Sequence, residues 1–349
     1  MRAWITASPE TALALGGLAL GFAFGCLTRA TNYCLMGAVS DWRTSGNISR
    51  LGAAALAAGV AIIGAQTLDG AGIVDLSRSM YATPRINWLG ALAGGFVFGA
   101  GMIYAGGCPS RSLVRAGGGD VRAALALIVM AIAAYAALSG VLGSARVTLD
   151  QMTAVDLTRF GFSSQALPQL AGAWPAIVVA GILIAFALRA AVADGKLQSF
   201  AGGVGVGVIV TLGWALTGLA TDDMTAQPIA PSSLSFVKPV ADAIDWLERS
   251  TALGSPSFAA ASVFGVLAGG FTASLVARQL RFQSFADAGD LKRHLFGAVA
   301  MGIGGVLALG CTIGQGVTGI STLAVQSFIA VAAMLAGAVW AVERMQRSI

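Results

Sequence analysis

Cysteine is scarce in this chain, four in 349 residues, and three of the four stand in frames that a plain apolar segment does not need. Cys108 lies in GGCPSR, Cys311 in LGCTIGQG and Cys34 in NYCLMG. In the first frame Pro109 suits the opening position of a helix, where its missing N–H would be unpaired anyway and its φ is already helical. Cys108 then falls at a helix start, with Gly106 and Gly107 allowing close backbone approach. A helix start offers free N–H groups and a partial positive charge, which favour an anion and make a thiol more reactive. Gly310, Gly314 and Gly316 permit a comparable bend around Cys311, where Thr312 and Gln315 add hydrogen-bonding groups, as Ser110 and Arg111 do after Cys108. Both frames suit a small anion. Cys26 follows an apolar run without such a frame and reads as a small buried hydrophobe.

Other chemistries fit the pattern less well. The cysteines are widely spaced with no C-x-x-C, and the single histidine, His294, lies in a basic stretch that reads as a solvated or headgroup-level loop, so neither a metal site nor a cofactor is expected. Disulfide exchange ordinarily uses a close pair, for which Cys26 and Cys34 are a weak substitute. The rival from another class is a membrane-embedded thiol enzyme that passes sulfane sulfur through a Cys persulfide.

The elements that must position these thiols are membrane helices. Hydrophobic residues make up 56% of the chain and charged ones only 11%, less than half the roughly 25% of a soluble domain. Nine apolar segments are long enough for a bilayer, near 11–27, 51–68, 88–105, 121–143, 172–190, 199–221, 258–278, 295–310 and 322–342. The first has no basic leader or A-x-A cleavage site and reads as a retained helix. If the spans alternate, seven of the 21 basic residues fall on the side of the N-terminus and fourteen on the other, which predicts an N-terminus outside and a C-terminus in the cytoplasm. The net charge of +5 is thus a topology signal, and no basic-aromatic face accompanies it, so nucleic acid is not an expected partner. No span carries Asp or Glu in its interior, so no carboxylate relay for proton coupling is evident.

Aligning Cys108 with Cys311 pairs glycines at 94/297, 99/302, 101/304 and 107/310, and Gly25 precedes Cys34 at the same distance as Gly99 precedes Cys108. A first half over 1–145 and a second over 199–349, separated by 146–198 with one central helix, would place the second half upside down relative to the first. The expected fold is therefore one all-α integral membrane domain over 1–349, with about nine transmembrane helices in an inverted pseudo-two-fold repeat. Short re-entrant segments at 35–41, 109–116 and 312–320 are expected to carry the thiols inward; such backbone must be packed inside the protein or line a wet path. The stretch 221–250 is read as an outer loop with a candidate amphipathic helix near 240–248.

At NYCLMGAVSD, GGCPSRSLVRAGGGD and GCTIGQGVTG the sequence resembles the YeeE/YedE family of bacterial inner-membrane sulfur transporters, over nearly the whole chain. The resemblance implies an hourglass-shaped helical protein of the inner membrane that takes up thiosulfate. It implies that Cys34, Cys108 and Cys311 pass the ion along a central path by hydrogen bonding, without a covalent intermediate. It further implies a cytoplasmic TusA-like sulfur carrier as partner. Gly107, Pro109, Ser110, Arg111, Gly310, Thr312 and Gln315 are the supporting residues this reading selects.

Overall fold

The computed structural model describes residues 9–194, 197–220 and 230–347. Helices dominate because a chain surrounded by lipid must satisfy its backbone N–H and C=O groups internally. In order they are α1 (Pro9–Thr31), α2 (Leu35–Ser45), α3 (Ser49–Gly70), α4 (Gly95–Tyr104, led in by a π-helical turn over Gly90–Gly94), α5 (Pro109–Gly117), α6 (Val121–Leu138), α7 (Gly143–Thr153), α8 (Leu167–Ala171), α9 (Trp174–Asp194), α10 (Leu197–Leu219), α11 (Lys238–Leu253), α12 (Phe258–Val276), α13 (Ala288–Leu307) and α14 (Val325–Gln346). A second π-helical turn, Gly314–Gly319, lies between α13 and α14, and a two-residue antiparallel pairing joins Arg85–Ile86 to Val155–Asp156.

The protein is an all-α integral membrane protein. Among the described residues eight segments are long and apolar enough to cross a bilayer. The predicted span outside that set is α13, whose opening turns hold Asp290, Lys292, Arg293 and His294, so that only 295–307 is continuously apolar. One expectation needs correction here. His294 is not in a solvated loop: it is in the second turn of α13, 3% exposed, with Nδ1 2.8 Å from the Asp290 carbonyl oxygen and 3.2 Å from the Asp290 carboxylate. The basic neighbours suggested a loop, but Asp287 accepts from the Asp290 backbone N–H and starts a helix there. Residues 221–229 of the expected outer loop lie outside the described residues, and α11 covers the expected amphipathic piece.

Helix packing is reciprocal. α1 lies on α12 and α10 lies on α3, while α4 lies on α14 and α13 lies on α6. At the centre α4 and α13 cross each other through their glycines. A Cβ on Gly94 would stand 2.7 Å from the Gly304 carbonyl oxygen, and one on Gly304 would stand 2.7 Å from that of Gly94. Gly101 and Gly297 meet in the same mutual way, at 2.8 and 2.6 Å. Small residues at such spacing let backbones touch where lipid gives no hydrophobic drive to associate. The pairs that touch, 94 with 304 and 101 with 297, run in opposite order along the two helices, which are therefore antiparallel.

Candidate functional site

Each helix leading to a framed cysteine ends the same way. Asn32, Gly106 and Leu309, each two residues before its thiol, have φ of 54°, 69° and 58°. The ends of α4 and α13 match bond for bond: Gly107 N–H donates to Met102 O at 3.0 Å and Gly310 N–H to Gly305 O at 2.8 Å, a left-handed helix stop that glycine favours at Gly106. Leu309 adopts the same conformation without glycine's freedom, at a cost of about 1–2 kcal/mol, and such local strain concentrates at functional sites.

After each stop the chain re-enters a helical segment with the cysteine at its start. Gly37 N–H donates to Cys34 Sγ at 3.3 Å, and Gly314 N–H donates to Cys311 Sγ at 3.3 Å. Cys108 likewise stands at the N-cap of α5, but its sulfur takes no cap hydrogen bond and instead has Ser110 Oγ beside it at 3.3 Å. All three cysteines thus open a short helical segment, and the sulfurs of Cys34 and Cys311 accept a backbone N–H where a hydroxyl or carboxylate oxygen usually does. Pro109 opens α5 as expected. The three short segments α2, α5 and Gly314–Gly319 stand where folded-back pieces are expected.

The structure brings these sulfurs together inside the bundle. Cys34, Cys108 and Cys311 are all buried, the last two at 1% and 0% exposure. Cys108 and Cys311 lie in one buried core, and the Cys34 unit is tied to the Cys108 unit by Arg111 Nη2, which donates to Asn32 Oδ1 at 3.3 Å. Thr312, next to Cys311, is 3% exposed, and its buried hydroxyl meets no protein partner. Gln315 donates from Nε2 to the Ala308 carbonyl at 2.6 Å, which fixes its side chain across the end of α13 and leaves its buried Oε1 without a partner. Gly310 sits under Gln315, and Gly107 sits under Ser112 and the two arginines of α5. Ser112 Oγ, 1% exposed as a residue, is likewise unpartnered. Cys26 stands apart in α1, its Sγ donating to the Gly269 carbonyl across the α1–α12 contact.

Cavities open towards this cluster from both ends of the bundle. One, about 190 Å³, is bordered by Tyr81, Ser232, Ser233, Ser235 and Gly310, on the Cys311 side. The other, about 430 Å³, lies at the far end and is lined by Arg29, Arg111, Arg115, Asp120 and Arg281. Asp120 accepts from Arg115 and Arg122. Burial opposes its ionisation, yet those two hydrogen-bonding guanidiniums outweigh it and hold the carboxyl below its usual range.

Sequence reasoning missed Tyr33 and Tyr81, which flank Cys34 with Cys108 and Cys311 respectively. Tyr33 carried a signal, its place beside Cys34; Tyr81 carried none. Phe236 also escaped notice, its ring 5.2 Å from that of Phe24 and buried in the same core as Cys311.

A family model described as Sulphur transport matches residues 30–340. The chain is 26% identical to the thiosulfate transporter TsuA of Escherichia coli (strain K12), over 93% of this chain and 92% of that one. It is 25% identical to the thiosulfate transporter TsuA of Spirochaeta thermophila (strain ATCC 700085 / DSM 6578 / Z-1203), over 90% of this chain and 93% of the relative.

Proposed function

Because the chain belongs to the sulphur transport family, we propose that it carries thiosulfate into the cell, and that the ion passes between the Cys311 thiol and the Cys108 and Cys34 thiols by hydrogen bonding alone. The observation that carries this reading is the shared seating of the three buried cysteines, each opening a short helical segment two residues beyond a left-handed stop. Thiosulfate is a dianion with a soft terminal sulfur. Crossing the bilayer requires its hydration to be replaced stage by stage, with sites weak enough to release it. A thiol donates weakly and accepts weakly, and the unpartnered atoms of Thr312 and Ser112 add neutral donors beside it. Two curated relatives bear the name thiosulfate transporter, which favours this ion over other sulfur anions and favours a carrier over an enzyme.

The inverted repeat belongs to the same proposal, with halves at 1–145 and 199–349 about a linker at 146–198. The mutual glycine contacts of α4 and α13, and the swapped pairing of their neighbours, support it. The arginine-lined mouth then faces the cytoplasm of a bacterial inner membrane, with the N-terminus periplasmic, in accord with the excess of positive charge at that end. A small TusA-like sulfur carrier is the partner that would take the ion there.

The test is uptake of labelled thiosulfate into proteoliposomes. Cys108→Ala and Cys311→Ala should abolish it while the protein stays folded, and Cys26→Ala should leave it intact; full uptake by both of the first two would reject the reading. The persulfide alternative predicts that a cysteine thiolate attacks the terminal sulfur of thiosulfate, breaks the S–S bond and releases sulfite. Intact-mass analysis after substrate exposure should then show one added sulfur that persists on Cys108, an outcome the hydrogen-bonded path forbids.

A further inference from the structure

The 430 Å³ cavity beside α5 has a charge arrangement that its neighbours do not explain. Four arginines and one carboxylate line it. Arg115 is bound to Asp120, so that pair compensates itself. Arg29, Arg111 and Arg281 form no ion pair among the described residues. Arg29 and Arg111 are like charges lining the same cavity. Their side-chain contacts are to neutral amides only, Arg29 to Gln279 Oε1 at 3.1 Å and Arg111 to Asn32 Oδ1 at 3.3 Å. Nε of Arg29 and Nη1 of Arg111 are shut off from the protein surface and find no acceptor in the protein. Buried donors of a charged group left unpaired are costly, and like charges held together add to the cost.

The walls are fixed as well as charged. The Arg281 and Gln283 N–H groups donate to the Gly118 and Gly119 carbonyls, and Val121 N–H donates to the Gln283 carbonyl, so the segment after α12 is laced to the turn between α5 and α6. A volume of 430 Å³ matches about fourteen waters at roughly 30 Å³ each, enough for a small ion with part of its hydration shell. Arg111 also joins the cavity to the thiols, because it stands three residues after Cys108 in α5 and donates to Asn32, two residues before Cys34.

We infer that this cavity is a second anion station, in which Arg29, Arg111 and Arg281 hold a tetrahedral oxyanion on the Cys108 side of the thiol cluster. The assignment deepens the transport reading and rests on it for the identity of the cargo. The chemistry recognised is that of sulfate, thiosulfate or a phosphate, free or carried by a lipid headgroup. Guanidinium forks match such oxygens and do not require a soft sulfur. The station should therefore select less sharply than the thiols do, and serve as a holding point after selection.

The decisive experiment separates the station from the thiols. Protein with Cys34, Cys108 and Cys311 all replaced by alanine, purified in lipid-free detergent, is titrated calorimetrically with sodium thiosulfate and with sodium sulfate. Saturable binding of both ions is expected, weakened at least about tenfold by Arg111→Gln, the loss of one charge-assisted contact. If Arg111→Gln does not fold, Arg29→Gln serves in its place with the same expectation. No saturable binding of either ion up to about 10 mM, or binding unaltered by the arginine variants, overturns the station. Uptake by the unaltered protein is read separately: uptake with no such binding removes the station alone, and binding without uptake removes the transport reading alone. Repeating the titration with phosphatidylglycerol or phosphatidylcholine micelles assigns the source. Displacement by the first only marks a lipid phosphate as a natural occupant of the station, and indifference to both marks the free ion as its occupant.

Discussion

Adding one methyl group at the crossing of α4 and α13 should damage the protein from either side, and by a similar amount. In Gly94→Ala the new carbon would stand 2.7 Å from the Gly304 oxygen and 2.7 Å from the Ala308 nitrogen; in Gly304→Ala it would stand 2.6 Å from the Phe98 nitrogen and 2.7 Å from the Gly94 oxygen. Ordinary contact begins near 3.4 Å, and the opposing atoms are backbone, so neither can rotate away. Because the nearest atom is closer still on one side, Leu307 Cβ at 2.5 Å from the carbon at 94, the helices must part by about 0.8–0.9 Å, and a gap of that order forfeits a quarter to a half of each dispersion contact along the seam. With the strain of overpacking, the cost is about 1–3 kcal/mol per substitution. The two are coupled: helices already parted for one methyl have room for the other, so the double variant should cost less than the sum. Gly181→Ala on α9, with nothing within 4 Å of the new carbon, should be neutral or stabilise by about 0.4–1 kcal/mol. Unfolding of purified protein in detergent, followed by circular dichroism, measures all four. Strict additivity, or a harmless Gly94→Ala, would refute the claim that backbone contact at this crossing holds the two thiol-bearing helices together.

Two further outcomes follow from the ends of the bundle. Asp120→Asn leaves Arg115 and Arg122 facing a neutral amide, and because both guanidiniums keep some solvent exposure, 21% and 24%, the loss should be about 1–3 kcal/mol rather than that of a fully buried pair. The folded carboxyl titrates below its unfolded value, so its stabilisation is complete above about pH 4 and disappears as the pH falls through the lowered value; melting curves from pH 7 to pH 3 should converge for wild type and variant at the acid end. Thr312→Val removes a hydroxyl that has no partner in good geometry, so stability should change by less than about 1 kcal/mol while thiosulfate uptake falls by about tenfold, the worth of one hydrogen bond to an ion.

Much of the fold is visible in the sequence because lipid imposes one rule on every span. α1, α3, α6, α9, α10, α12 and α14 each overlap the apolar run that announces them. α13 is harder to read, since its first two turns are charged and only the Asp287 cap and the Asp290–His294 spacing reveal a helix. The glycine coincidences at 94, 101, 297 and 304 are legible as a repeat, and they prove to be the atoms through which the helices touch. What the sequence conceals is conformation without a residue signature. Gly106 advertises its left-handed stop, whereas Leu309 takes the same φ and would never be chosen for it. The arginine cavity is hidden for another reason: Arg29, Arg111 and Arg281 are far apart in the chain, and each alone is an ordinary basic residue near the end of a membrane helix.

The division of labour between sulfur and arginine is open to a sharp test at Cys108. Around the thiols the described neighbours are neutral, with Tyr33, Tyr81, Ser110 and Thr312 close by and Arg111 only at the edge. A full charge in the middle of the bundle would be costly to bury and would hold a dianion too firmly to release it. Cys108→Ser keeps the N-cap position and the Ser110 neighbour while exchanging a soft acceptor for a hard one. Serine is a strong helix cap, so folding should be unimpaired or slightly improved. If sulfur is there for its softness, the variant should lose much of its thiosulfate uptake and become more easily inhibited by sulfate. Unchanged preference between the two ions in competition assays would show that position 108 needs only a small hydrogen-bonding cap, and that selection occurs elsewhere on the path.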